Sequence, residues 1–395
     1  MEGLTRRTSD MKITKVEGVL LSAVLAEPHV VRWSGGEMQI ANAALVVIHT
    51  DEGLTGIGDT YAGGWFYPKA AKAMVEHFEP LLVGENPCEP AALAHKIWSA
   101  SQYWGRVGAG ANAVSAIENA LWDIAGKAAQ QPVWKLLGGL AHDRLKLYAS
   151  GGLEKPREAV IEEMRGYLAA GFKAVKIRVS TDLKRAVEKA RLCRDVLGPH
   201  VELMVDAVMG SHPAPWDART AIRFAHAIEE LNVTWLEEPC AGNDYEGYAA
   251  VRRATSIPIS GGETSYGVTE FMHFLRASAL DIVQPDACTS GGILECQRIA
   301  TVAAAHKVKV APHAWGSAAT VTANLNWAFT QPNVFCQEYP TWGFPLRDAL
   351  LAEPLRIENG DLLPPLVPGL GLVLTDELRR EYAWRDRSGA RMRVD

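Results

Sequence analysis

Six cysteines are too few and too scattered to carry a scaffold. Cys88, Cys193, Cys240, Cys288, Cys296 and Cys336 form no CxxC pair and no zinc-ligand spacing. They read as free thiols in a reducing compartment, so a cytoplasmic protein is expected. No apolar run is long enough to span a bilayer. The opening MEGLTRRTSDMK lacks the apolar stretch of a secretory signal. Residues 1–10 are expected to form a flexible leader, with Met11 an alternative start. Excess positive charge is missing too. Forty Lys and Arg against 46 Asp and Glu leave a net charge of −6, with no footprint for nucleic acid or an anionic membrane. The twelve tryptophans are scattered and mark no aromatic groove for a polymer.

With 395 residues, the chain exceeds a usual single core, and about two domains are expected. Residues 12–24 and 44–50 read as strands, and Asp51-Glu-Gly-Leu as a turn into a third, LTGIGDT. The stretch 27–41 between the first two reads as irregular. Helices follow, with Val114, Ile117, Leu121 and Ile124 on one face. Gly108-Ala-Gly-Ala-Asn-Ala matches a dinucleotide-binding fingerprint, but it follows no convincing strand and reads as a helix start. Residues 11–140 are thus expected to form an α+β domain, completed by 350–395. From about 144 the pattern alternates. Strands are expected at 145–149, 173–178, 201–206, 233–237, 257–261, 280–284, 308–312 and 334–338, with amphipathic helices between them. This fits a parallel α/β barrel over 141–349 better than an open sheet. No final barrel helix is evident.

In such a barrel, strand C-terminal ends open on one face, so residues distant in sequence converge there. Asp206, Glu237 and Glu263 end the third, fourth and fifth strands. Clustered carboxylates repel unless a cation neutralises them, and oxygen-only ligands point to Mg²⁺, with Mn²⁺ a substitute. Lys176 and Arg178, in KAVKIRVS, point to the same side of strand two. A lysine beside a metal can serve as a base; the bland alternative is a barrel-interior lysine paired with Asp206. Arg178 suits binding of a substrate carboxylate. Asp286 and His313 end strands six and seven, where the carboxylate would orient the imidazole. Glu338 ends strand eight and, if protonated, would donate a hydrogen bond to a developing oxyanion. His212 follows strand three and is a candidate substrate contact. Cys240 and Cys288 follow strand ends and are candidates to approach the pocket, without being nucleophiles.

Together these motifs resemble the mandelate racemase subgroup of the enolase superfamily. The resemblance runs over nearly the whole chain from Met11. It rests on ENALWDIAGKAAQQPVWKLLGG, Lys-x-Arg at 176–178, Asp206, EEP at 237–239, GGE at 261–263, PDACTSGG at 285–292, PHAWGS at 312–317 and PGLGL at 368–372. It implies an N-terminal capping domain over a (β/α)7β barrel and a homo-oligomer. It also implies Mg²⁺ on acids matching Asp206, Glu237 and Glu263, a His313–Asp286 dyad, and a mobile capping loop at 27–41 with Trp33 a substrate contact. The chain departs from the subgroup's commoner pattern at Arg178, where a second lysine is usual, and at Val208, where Asn is common.

The resemblance and the residues imply removal of the proton α to a carboxylate through an enediolate. With Arg178 in place of a lysine, two-base racemisation loses support and a one-base route through His313 gains it. The leading expectation is dehydration of a sugar acid to a 2-keto-3-deoxy acid. A cycloisomerase acting on a sugar-acid lactone or anhydro acid is second, since PHAWGS is similar to a segment of some lactone cycloisomerases. A racemase or epimerase is third. A non-catalytic binding barrel is disfavoured, because no ligand or base position is broken.

Overall fold

The computed structural model describes residues 10–27, 29–386 and 388–392. The expected leader lies outside these residues, apart from Asp10. The first part is a three-stranded antiparallel sheet of Ile13–Val24, Ile40–Thr50 and Thr55–Asp59, with Ile40–Thr50 in the centre. Gly53, at φ 77°, closes the turn between the last two strands, a conformation that favours glycine. Helices pack on this sheet, the longest being Gly108–Ala128. Val114, Ile117, Leu121 and Ile124 are all buried in its contact with the sheet. The approach is close: a Cβ on Gly56 or Gly58 would fall 2.0 or 1.9 Å from the carbonyl oxygens of Ala120 and Ala116.

Eight parallel strands follow. We label them β1 (Leu145–Ser150), β2 (Ala174–Arg178), β3 (Glu202–Asp206), β4 (Val233–Glu237), β5 (Ile259–Gly261), β6 (Ile282–Val283), β7 (Lys309–Val310) and β8 (Gln337–Pro340). Each pairs with the next from β1 to β7. β8 pairs with β1, and a Val310–Val334 bridge closes the ring. Seven of the intervals carry helices, and after β8 only the four-residue helix Leu346–Ala349 follows directly. The architecture is therefore a (β/α)7β barrel with an N-terminal α+β cap. Two local expectations are corrected. The β8 ladder begins at Gln337 rather than 334, so Glu338 sits early in the strand. The stretch 27–41 is not irregular throughout: Val31–Trp33 and Gly36–Met38 pair as a hairpin; Pro28, within it, lies outside the described residues.

Buried polar side chains on helix Gly108–Ala128 fasten the cap to the barrel. Asn112 and Asn119 donate to the carbonyls of Cys288 and Ala287 at 3.0 and 2.9 Å. Glu118 accepts from the backbone N–H groups of Ile293 and Leu294 at 2.7 and 3.2 Å. Those two groups open helix Ile293–Ala305, whose own N-cap, Gly292, has no side chain to offer. Asp59 accepts from the Ser317 and Thr320 hydroxyls at 2.5 and 3.2 Å. The segments after β6 and β7 are thus held from above. Removing the acceptor in Glu118→Ala strands the buried N–H of Ile293 and the partly buried one of Leu294. It is expected to cost about 2–4 kcal/mol of unfolding free energy in urea denaturation; a loss below about 0.5 kcal/mol would contradict this role.

Candidate active site

A cavity of about 330 Å³ opens at the C-terminal ends of the barrel strands, beneath the cap. Arg178, Asp206, Glu263 and His313 line its barrel side, and Trp33, Tyr61, Trp65 and Met392 its cap side. Asp206 and Glu237 are directly paired in the β3–β4 register, and Glu263 lies two residues beyond β5. Five buried carboxyl groups (Asp206, Glu237, Glu238, Asp286 and Glu338) and the partly buried Glu263 gather around this end of the barrel. Two permanent cations, Lys176 and Arg178, stand among them.

The ammonium of Lys176 lies 2.5 Å from Glu237, 3.1 Å from Glu338 and 3.7 Å from Asp206. Burial disfavours its charge, but Glu237, Glu338 and Asp206 outweigh that and hold its pKa well above the ordinary lysine range. It is fully buried and does not line the cavity. In this arrangement Lys176 neutralises carboxylates, and its nearest partner is Glu237 rather than Asp206. Arg178 reaches the cavity. Its guanidinium stacks 3.7 Å from the Trp315 ring and donates to Gly151 O at 3.1 Å.

His313 Nδ1 lies 2.7 Å from Asp286 Oδ2. Asp286 Oδ1 accepts from Cys288 N at 2.7 Å and Asn324 Nδ2 at 2.8 Å, so the carboxylate is fixed on both oxygens. An acceptor at Nδ1 places the proton there and leaves Nε2 as the reactive nitrogen. Nε2 lies 3.5 Å from Glu263 and 3.8 Å from Glu338. Glu338 corrects an expectation. It accepts from Ser150 Oγ at 2.6 Å and Ala314 N at 2.8 Å. Burial pushes its carboxyl up, but Lys176, His313 and Arg178 together overcome this and hold it at about 2. Here it accepts hydrogen bonds, and its cationic neighbours favour the ionised form over the expected protonated donor.

His212 does not line the cavity. Its Nδ1 accepts from Ala214 N at 3.0 Å, and its ring packs beneath the hairpin at Gly35. Cys240 and Cys288 are buried and also off the cavity. Sequence reasoning missed Tyr61, whose ring centroid is 5.1 Å from that of His313. Its φ of 47° is unusual for a non-glycine residue. Nothing local in the sequence marks it. Val208, on the cavity wall, has φ 57° and donates its N–H to Asp206 Oδ1 at 2.8 Å. Asn tolerates that conformation readily, whereas a β-branched side chain adopts it only with strain.

Among the described residues, no three His, Cys, Asp or Glu side chains are spaced to hold a metal ion as they stand. The chemistry of the donors nevertheless fits a hard divalent cation. All are oxygens, carboxylates outnumber cations, and Glu238 Oε1 is buried with no hydrogen-bond partner. Burial pushes the Asp206, Glu237 and Glu263 carboxyls above their ordinary range, against the pull of Lys176 and, at Glu263, of His313.

The two-part architecture is matched in known families. Residues 17–138 match the mandelate racemase / muconate lactonizing enzyme N-terminal domain, and residues 159–378 the enolase C-terminal domain-like family. The chain belongs to the mandelate racemase subgroup of the enolase superfamily. Members of this superfamily are typically Mg²⁺-dependent. The chain is 32% identical over 390 residues to D-galactarolactone cycloisomerase of Agrobacterium fabrum, spanning 95% of this chain and 100% of that protein. It is 33% identical to D-galactonate dehydratase of Variovorax paradoxus, over 86% of this chain and 90% of that one. The crystal structure of 3,6-anhydro-D-galactonate cycloisomerase from Zobellia galactanivorans superposes with a TM-score of 0.85 at 31% identity, covering 94% of this chain and 99% of the other. No described helix is long and apolar enough to cross a membrane.

Without a divalent cation, the carboxylates around His313 govern its charge. Burial alone lowers its pKa, but Glu263, Glu338 and the Asp286 hydrogen bond outweigh this and raise it to about 9. The raised pKa contributes stability that is full below the unfolded value of about 6.5 and lost as pH rises through about 9. NMR of the metal-free protein should show the ring titrating near 9, and His313→Gln should remove that part of the pH dependence of unfolding. A ring titrating near 6.5 would contradict the assignment.

Proposed function

We propose that this enzyme removes the proton α to the carboxylate of a sugar acid, with His313 as the base, and expels the β-oxygen. The observation that carries this reading is the His313–Asp286 pair at a cavity that Arg178, Asp206 and Glu263 also line, with Glu237 beside Asp206 in the sheet. Asp206, Glu237 and Glu263 would hold a divalent cation, Mg²⁺ first, which supplies charge to stabilise the enediolate. The chain's own residues do the rest. Asp286 keeps the His313 ring in the tautomer whose Nε2 accepts the proton. Arg178, held flat against Trp315, orients a carboxylate. Lys176 stays cationic and balances Glu237 and Glu338. The Tyr61 phenol, pushed well above its ordinary pKa by burial and neighbouring acids, remains a hydrogen-bond donor beside His313. Trp33 lines the cap side.

Protonated His313 then delivers its proton to the departing β-oxygen on the same face. If that oxygen leaves as water, the product is a 2-keto-3-deoxy acid, and the enzyme is a hydro-lyase. If it belongs to a ring, the product is an isomer. The cycloisomerase reading is favoured by Trp315, from the PHAWGS segment, on the cavity wall, and by the similarity to proteins named as cycloisomerases. Among the described residues, no lysine and no second histidine lines the cavity, and Arg178 stays charged. This argues against two-base racemisation. The substrate is a small carboxylate. Assembly as a homo-oligomer, a soluble cytoplasmic setting and the absence of nucleic-acid partners complete the proposal.

Sugar acids, diacids and their lactones, incubated with Mg²⁺, should give a product detected by a carbonyl reagent or by NMR. EDTA should abolish it. His313→Asn should lower kcat by about 10²–10⁴-fold. Undiminished activity in that variant, or no turnover and no α-hydrogen exchange across the acids, would overturn the proposal.

A further inference from the structure

Residues 388–392 take a path that the reaction alone does not explain. Ser388 Oγ donates to Asn42 Oδ1 at 2.9 Å, Gly389 N to Ile40 O at 3.0 Å and Ala390 N to Trp65 O at 2.9 Å. Arg391–Met392 then pairs antiparallel with Gly36–Met38, whose other neighbour is Val31–Trp33. The segment is therefore the outer strand of a three-stranded sheet over the cavity. Met392 lines the cavity together with Val31 and Trp33.

Glycines make this path available. A Cβ on Gly36 would fall 2.4 Å from Arg391 O, and one on Gly389, at φ 107°, 2.4 Å from Trp65 O. A hairpin of two three-residue strands is marginal alone; a third strand is what gives such a unit independent stability. Glu154 N donates to Arg32 O at 2.8 Å and ties the hairpin to the barrel at one point, but polar atoms at its tip lack partners. Ser34 Oγ and, beneath Gly35, His212 Nε2 are both buried without hydrogen-bond partners.

We propose that residues 388–392 act as a latch and specificity element. They pin hairpin 31–38 over the cavity and place Met392 against the part of the substrate on the cap side. Met392 offers that part an apolar surface, so a C–H face is accepted there and a hydroxyl gains no partner. The latch stands on geometry alone; the substrate contact rests on the proposed function.

Hydrogen exchange read by mass spectrometry tests the latch without any substrate. In a chain ending at Ser388, the amides of 31–38 should exchange about tenfold faster or more than in the full chain, while those of β2 are unchanged. Equal protection of 31–38 would overturn the latch. The full-length Met392→Ala variant tests the contact, with hairpin protection as its folding control. Its KM for the best acid should rise about five- to tenfold, with kcat nearly unchanged. An unchanged KM would overturn the contact. If the parent enzyme turns over no acid, the proposed function fails, while the exchange result still decides the latch.

Discussion

A surplus of buried negative charge at the mouth of the barrel is the constraint on which the site depends. Six carboxyl groups share that space with Lys176 and Arg178. In a medium of low dielectric, such a set is tolerable only with counter-charge and fixed hydrogen bonds. The structure supplies both in part. Lys176 bridges Glu237 and Glu338, backbone and hydroxyl donors satisfy Glu338 and Asp286, and His313 is drawn toward its charged form. A charged imidazole is no base. A divalent cation among Asp206, Glu237 and Glu263 would offset the same carboxylates and release His313 for proton abstraction. Metal affinity and base strength are, on this account, two readings of one electrostatic balance.

The cap is the second requirement. Its long helix does more than cover the barrel: Asn112, Glu118 and Asn119 hold the segment that follows Asp286, and Asp59 holds the one that follows His313. The dyad is therefore clamped between the two parts of the molecule. The cap also brings Tyr61, Trp65 and the 31–38 hairpin to the cavity, so the barrel supplies the acid–base groups and the cap supplies most of the wall the substrate meets.

Much of this was legible in the sequence, because a barrel turns linear spacing into convergence. Strand-end positions in the sequence point Asp206, Glu237, Glu263, Asp286 and His313 toward one face. The architecture followed from the alternation of strands and helices after residue 144. Other features depend on what a side chain finds in three dimensions. Nothing in KAVKIRVS says that Lys176 lies beneath the cavity while Arg178 enters it. The ionised form of Glu338 is favoured by Lys176 and Arg178, both on β2, and by His313, just beyond β7. His212 had a plausible position but turns under Gly35. Tyr61 and Met392 come from the cap and from the far end of the sequence, and they reach the cavity only through tertiary packing. The 31–38 hairpin is too short to show a period and is completed by a strand more than 350 residues away.

The balance between metal and base is measured most directly by calorimetric titration of Mg²⁺ into the metal-free enzyme, in buffers of differing ionisation enthalpy, between pH 7 and 8, where metal-free His313 is mostly protonated. The account predicts binding with net release of about one proton, much reduced in His313→Asn. Absence of binding, or binding with no proton released, would contradict it.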